Sequence, residues 1–252
     1  MDATLIYPAG NTPACSYAAH LLHKKGIPIV DHPTPEVTHL LLDVPSFAGD
    51  GTLRGGGNIK ELLRMLPQKI QVIGGNLQHP ALDGYQIADL LKEETYLARN
   101  AAITAHCALQ VAAGKIGAIF ENMPILVIGW GRIGKCLARL LRALDAEVTV
   151  AARKKADRAA LISLGYRAVD VASLKNASPK WRIVFNTAPA PVLEEDTLEL
   201  WKKCLKIELA SSAGLSGPDV ISARGLPGIY APESSGALIA ESVMQIIKEE
   251  GT

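Results

Sequence analysis

No run of about 18 apolar residues occurs anywhere in the 252-residue chain, so nothing in it is expected to span a bilayer. An excess of charge of one sign is also missing. Lys and Arg number 26 against 25 Asp and Glu, a formal net charge of +1. That balance offers no field for nucleic acid or for an anionic membrane surface. Aromatic residues make up 5% of a chain that is 48% hydrophobic. The core is therefore expected to consist of Ala, Val, Ile and Leu, as in parallel sheets covered by helices. Cys15, Cys107, Cys136 and Cys204 are widely spaced and form no C-x-x-C pair, as expected of isolated thiols in a reducing compartment. His20 and His23 stand three apart on an expected helix but lack a third ligand, so a surface helix is preferred to a metal centre. Met1 to Tyr7 show neither a charged n-region nor a cleavable apolar segment, and a cytoplasmic location is expected.

What is present is most informative between Ile125 and Val150. Ile125-Leu126-Val127-Ile128 is a short apolar run of the kind that forms a buried parallel strand. Gly129-Trp130-Gly131-Arg132-Ile133-Gly134 follows at once, then a helical pattern with Leu137, Leu140, Leu141 and Leu144, then Val148-Thr149-Val150. Strand, G-x-G-x-x-G, helix, strand is the context that a dinucleotide-binding turn requires. In it Gly129 makes the turn, Gly131 admits a pyrophosphate, and Gly134 brings helix and strand together. Arg132 and Ile133 open the helix, whose N-terminus carries partial positive charge for the phosphates.

The end of the second strand bears on which dinucleotide is bound. NAD enzymes usually place Asp or Glu about 20 residues after the glycines to hold the ribose 2′-hydroxyl. Here the strand runs out as Ala151-Ala152-Arg153-Lys154-Lys155, with Arg158 one turn later. A guanidinium and ammonium groups stand where a 2′-phosphate would sit, and the planar fork of Arg suits a phosphate. NADP is favoured over NAD, the plain alternative being a solvated basic helix start.

The rest of the chain reads as α/β, with two doubly wound parallel-sheet lobes. Residues 1–100 form a smaller flavodoxin-like substrate lobe, completed by a C-terminal helix over 234–252. Residues 101–233 hold a bridging helix and the Rossmann lobe. Strands are expected at Thr4–Tyr7, Ile27–Val30, His39–Val44 and Ile70–Ile73, and helices at Ser16–Lys25 and from the Asn58 cap through Met65. Phe47 to Gly57 holds five glycines with no periodicity and reads as a loop at a ligand-binding sheet edge. From about Asp89 to Phe120 one long helix is expected to bridge the lobes, leaving a cleft.

Three strand ends carry turn chemistry. Asn186-Thr187-Ala188-Pro189 is expected on the nicotinamide side of the cofactor, with Thr187, Ala188 and Pro189 as contacts. Ser211 and, at the start of the last helix, Ser235 and Gly236 suit a substrate carboxylate. On the bridging helix Asn100, Thr104 and His106 are polar positions among alanines, and His106 is the side chain suited to proton transfer near neutral pH. A helix turns about 100° per residue, so His106 joins the stripe of Asn100 and Thr104 only if the helix breaks or begins near Thr104. Such a break is expected here. Cys107 beside it reads as packing, since no base accompanies it.

Taken in order, Asn100 to Thr104, Gly129 to Lys135, Val148 to Lys154 with Ala156-Asp157, Phe185 to Pro189, Leu209-Ala210-Ser211, and Leu226-Pro227-Gly228 with Ala231-Pro232 resemble the family of the A-type subunit of dipicolinate synthase. The likeness covers about residues 85 to 245 and is weak in the first lobe. It implies an NADP-linked step on a dihydrodipicolinate-like cyclic dicarboxylate, giving the dipicolinate of endospores in sporulation. It also implies a partner, the flavoprotein-like B-type subunit. A homo-oligomer is expected as well. The chain departs from the family pattern at His106-Cys107, where the family has Glu-Gly, in a shortened first lobe, and between Ser211 and Leu226. Two other readings stay open: a different two-lobe NADP dehydrogenase of the shikimate or methylene-tetrahydrofolate type, and a non-catalytic NADP-binding protein.

Overall fold

A computed structural model describes residues 4–177, 180–193, 198, 200–210, 212, 214–223 and 225–250. The chain divides into two compact units, Met1–Asn100 with Pro227–Thr252, and Ala101–Leu226.

The first unit is built on a parallel sheet of β1 (Ile6–Pro8), β2 (His39–Leu41), β3 (Gln71–Gly74) and β4 (Gln86–Asp89), in that order. A single parallel bridge from Ile6 to Ile29 adds the segment after helix α1 (Pro13–Lys24) on the free side of β1. Read along the sheet, the order is then 2-1-3-4-5, that of flavodoxin-like sheets. The strand expected at Ile27–Val30 shrinks to that bridge because Pro28 has no amide to donate. Thr12 caps α1, and Asn58 caps α2 (Ile59–Arg64) by accepting from the Lys60 amide at 2.8 Å. The core beneath β2 and β3 gathers Leu40, Leu42, Ile70 and Val72 with Leu62 and Leu63 of α2.

Strand β4 matches no expectation from the sequence. It is a sheet edge with Gln86 and Ile87 exposed, so it lacks the alternating pattern that marks a half-buried strand. Its last residue, Asp89, accepts from the amides of Asn76, Leu77 and Leu91 at 2.9, 3.0 and 3.1 Å. That cap delays the long helix, so α3 spans Glu94–Ala113 rather than Asp89 to Phe120. Gly114 and Gly117 follow its end.

The second unit carries six parallel strands: β5 (Pro124–Ile128), β6 (Glu147–Ala151), β7 (Arg167–Val169), β8 (Ile183–Asn186), β9 (Leu205–Glu208) and β10 (Val220–Ser222). Their order is β10-β9-β8-β5-β6-β7. Counted within the unit this is 6-5-4-1-2-3, the order of a Rossmann sheet. Ile125 through Ile128 are fully buried because β5 is covered on both faces. Helix α4 (Arg132–Ala143) lays Leu137, Ala138 and Leu141 against the sheet. Each such leucine contributes about 1.5–3 kcal/mol relative to an exposed one. Helix α5 (Lys155–Ser163) connects β6 to β7, and α6 (Leu226–Tyr230) follows β10. The chain leaves β5 towards β6 and later returns to β8 on the other flank of β5. The gap between the carboxyl ends of β5 and β8 is therefore the topological switch point, where open α/β sheets bind ligands.

The last helix, α7 (Pro232–Glu250), belongs to the first unit and packs along α1. No helix among the described residues is long and apolar enough to cross a membrane.

Candidate functional site

Gly129 follows the end of β5 with φ +104°, a left-handed conformation that side chains rarely adopt. A Cβ there would come within 2.5 Å of Thr187 Oγ1, so the turn after β5 lies directly against the turn after β8. At Gly134 a Cβ would meet the Gly129 carbonyl oxygen at 2.2 Å, which fixes how closely α4 approaches its strand. Gly131 differs from both. It is the N-cap of α4, no side chain caps the helix there, and a Cβ would meet nothing within 4 Å. No N-cap side chain therefore fills the start of α4, the space in front of Gly131 is open, and a phosphate is the group that fits such a helix end. Trp130, in the middle of the turn, rests edge-on against Tyr166 at 5.7 Å.

At the end of β6 the backbone passes from buried Ala151 and Ala152 to exposed Arg153 and Lys154. Neither cation has an ion-pair partner among the described residues, and Lys154 caps α5 without a side-chain bond. Arg158 does something else. Its Nη1 donates to the carbonyls of Ala152 at 2.8 Å and Arg153 at 2.6 Å and pairs with Asp170 at 2.9 Å. Arg158 braces the loop that presents Arg153 and Lys154, and its own fork is committed. No carboxylate stands at the strand end.

Beyond β8, Thr187 donates its amide and its hydroxyl to the Ile128 carbonyl at 2.8 and 2.9 Å. Its hydroxyl therefore ties the two turns together. Ala188 is half-buried, and Pro189 is exposed, its carbonyl accepting from Ser212 Oγ at 3.3 Å. Below them lies a pair that the sequence did not single out. Asn186 is fully buried, and its Nδ2 donates to both oxygens of Glu208, at 3.0 and 2.8 Å. Glu208, 2% exposed at the end of β9, also accepts from the amides of Ala210, Gly214 and Leu215 at 2.7, 2.9 and 2.7 Å. The one signal for it was a charged residue in the middle of the apolar run Ile207-Glu208-Leu209.

The substrate candidates fare unevenly. Helix α3 is continuous through residues 94–113, so the break expected before His106 is absent. His106 is exposed, while Thr104 is buried and Asn100 half-buried on the stripe about 40° apart that a regular helix gives them. Cys107 is buried, and burial raises its thiol pKa, as befits a packing residue. Gly236 is a packing glycine too: a Cβ on it would come within 2.5 Å of the Ala14 carbonyl oxygen and 2.8 Å of Tyr17 Cβ. It lets α7 and α1 touch and offers no surface to a ligand. Ser235 is 5% exposed, and its Oγ has no hydrogen-bond partner. Ser211 lies outside the described residues. Among the described residues no group of three or more His, Cys, Asp or Glu could hold a metal ion.

The switch-point turn, the open helix end and the strand order define a dinucleotide-binding unit of the Rossmann class. No protein-family model matches the chain. The A-type subunit of dipicolinate synthase from Bacillus subtilis (strain 168) is 27% identical over 173 residues, which take in 65% of this chain and 58% of that protein. The chain thus matches less than two thirds of the length of this relative. Among solved structures, the A-type subunit of dipicolinate synthase from Bacillus halodurans superposes with a TM-score of 0.83 at 19% identity, over 97% of each chain. Its counterpart in the Bacillus subtilis enzyme gives 0.80 at 20% identity, over 99% of this chain and 97% of that one. These likenesses establish the fold. The resemblance read from the ordered motifs is borne out: the chain is similar in sequence to one A-type dipicolinate synthase subunit and similar in fold to two.

Proposed function

We propose that the protein is an NADP-dependent oxidoreductase acting on a dihydrodipicolinate-like cyclic dicarboxylate to give dipicolinate, together with a partner of the B-type. The observation that carries the reading is the pairing of an open, uncapped α4 N-terminus at Gly131 with exposed Arg153 and Lys154 at the end of β6. The amides that begin α4 would hold the pyrophosphate, with Gly129 and Gly134 keeping turn and helix in place. Arg153 and Lys154 would hold the 2′-phosphate, on a loop that Arg158 braces through Asp170. When bound, the nicotinamide supplies the hydride chemistry. The part of the chain is to orient and to place charge. Thr187, Ala188 and Pro189 would border the nicotinamide side, and Asn100, Thr104 and Ser235 are the proposed substrate contacts.

The cofactor choice is tested by titration of NADP and NAD. Each charge-assisted bond to the 2′-phosphate contributes about 1.5–3 kcal/mol, so NADP should bind at least about tenfold tighter. Arg153→Ala should remove most of that gap and leave NAD affinity unchanged. Equal affinities in the parent protein would overturn the NADP assignment. Turnover of dihydrodipicolinate, with and without the B-type partner, then tests the substrate.

A further inference from the structure

Glu208 is a carboxylate in the interior of the second unit whose contacts are all to donors: Asn186 Nδ2 and the amides of Ala210, Gly214 and Leu215. Those donors belong to the last residue of β8 and to the loop that follows β9, so the carboxylate ties that loop to the point where the β8 loop begins. The loops also meet directly. A Cβ on Gly214 would lie 2.4 Å from the Ala190 carbonyl oxygen and 2.5 Å from Asn186 Nδ2, and the Val192 amide donates to the Gly214 carbonyl at 3.0 Å. With no room for a side chain at that joint, neither loop can shift without moving the other. From Asn186 the chain continues into Thr187, which is bonded to Ile128 and touches Gly129 across the switch point.

We propose that Glu208 is a positioning residue for the nicotinamide half of the cofactor site, acting through Asn186 on the loop at residues 187–189. The proposal rests on the reading of the β5–β8 edge as a dinucleotide site. The adenosine half is held by other parts. The α4 N-terminus begins at Gly131, and Arg153 and Lys154 stand on a loop braced by Arg158 and Asp170, whereas the hydrogen bonds of Glu208 run to Asn186, Ala210, Gly214 and Leu215. A defect at Glu208 should therefore divide the cofactor in two, which a general loss of stability does not do.

Glu208→Gln keeps the size of the side chain but turns one acceptor into a donor. In one orientation the new amine faces the amides of Gly214 and Leu215, and in the other that of Ala210; in both it faces Asn186 Nδ2. No orientation satisfies the site. The experiment is calorimetric titration of NADP and of 2′-phospho-ADP-ribose, which lacks the nicotinamide ring, on the parent protein and on the variant, with thermal melts to establish folding. The expected result is NADP affinity lower by at least about tenfold, with the fragment changed by less than about twofold. Gly214→Ala is the second variant: it keeps the carboxylate but presses on the Ala190 carbonyl oxygen and Asn186 Nδ2, and the same split is expected from it should Glu208→Gln fail to fold. Equal losses for NADP and the fragment, or no loss for either, would overturn the positioning role. A parent protein that binds neither ligand would instead overturn the cofactor reading on which the role depends.

Discussion

The two units place a helix N-terminus after their first strand, and the two ends are finished in opposite ways. In the first unit the turn before α1 is filled from within. Asp43, 2% exposed, accepts from the amides of Asn11 and Thr12 at 3.1 and 3.0 Å and from the Thr12 hydroxyl at 2.5 Å. A Cβ on Gly10 would come within 2.5 Å of Cys15 Sγ and 2.7 Å of Asp43 Oδ1, so no space is left. Cys15 shows the same crowding, its thiol pKa pushed up to about 12 by burial and then by the charge of Asp43. In the second unit Gly131 caps α4 with no side chain and faces nothing within 4 Å. A helix end is an anion site in both cases. One has its anion built into the chain, and the other, on the function proposed above, takes its anion from a ligand.

The sharpest way to break this contrast is to fill the second turn. Gly131 has φ −83° and ψ −168°, extended values that a branched residue adopts without strain. Gly131→Val should therefore fold, at a cost of about 1 kcal/mol or less for a poorer cap. Its isopropyl group would stand where the pyrophosphate belongs. Affinity for NADP should fall by about 100-fold or more, or roughly 2.7 kcal/mol. A folded Gly131→Val protein with unchanged affinity would move the cofactor elsewhere.

Emptying the first turn tests the other side. Asp43→Ala leaves two amide donors and a hydroxyl without their acceptor, which should cost about 2–4 kcal/mol of stability. In a chain of this size that lowers the melting temperature by roughly 2–4 °C per kcal/mol. Well below the melting point, NADP affinity should stay at the parent value, because among the described residues the carboxylate is bonded to the turn before its own unit's helix α1. A fall in affinity in the folded variant would show that the first turn takes part in cofactor binding.

The same contrast explains what could be read in the sequence. The second turn was legible because everything that defines it is local: a buried strand, three glycines at fixed spacing and an amphipathic helix within two dozen residues. The first turn was not, since Thr12 reads as an ordinary cap and Asp43 reaches it from more than thirty residues away. Long-range partners account for the other differences as well. Arg158 stands one turn after Arg153 and Lys154 in the chain, yet Asp170 and two carbonyls claim it. Glu208 draws its meaning from Asn186, on the adjacent strand. Gly236 sits at a helix start, a place that suggests an anion, but α1 covers it. Short edge strands such as β4, β7 and β10 carry too few residues to show a period.

The smallest effect is expected at His106. Along α3 it stands about 200° from Thr104, on the opposite face, and the helix runs through both without interruption. Thr104 is 7% exposed, whereas His106 is exposed. Outward-facing positions of this kind change stability by about 0.5 kcal/mol or less when substituted. His106→Ala should therefore leave the melting temperature nearly unchanged and alter kcat and kcat/KM by less than about twofold in any turnover assay. The pH profile decides the matter independently of rate. Were His106 the proton-transfer group, its loss would change the shape of that profile and lower kcat by about a hundredfold or more. A profile that keeps its shape in His106→Ala assigns proton transfer to another group, and leaves Asn100 and Thr104 as the residues of α3 still to be tested by substitution.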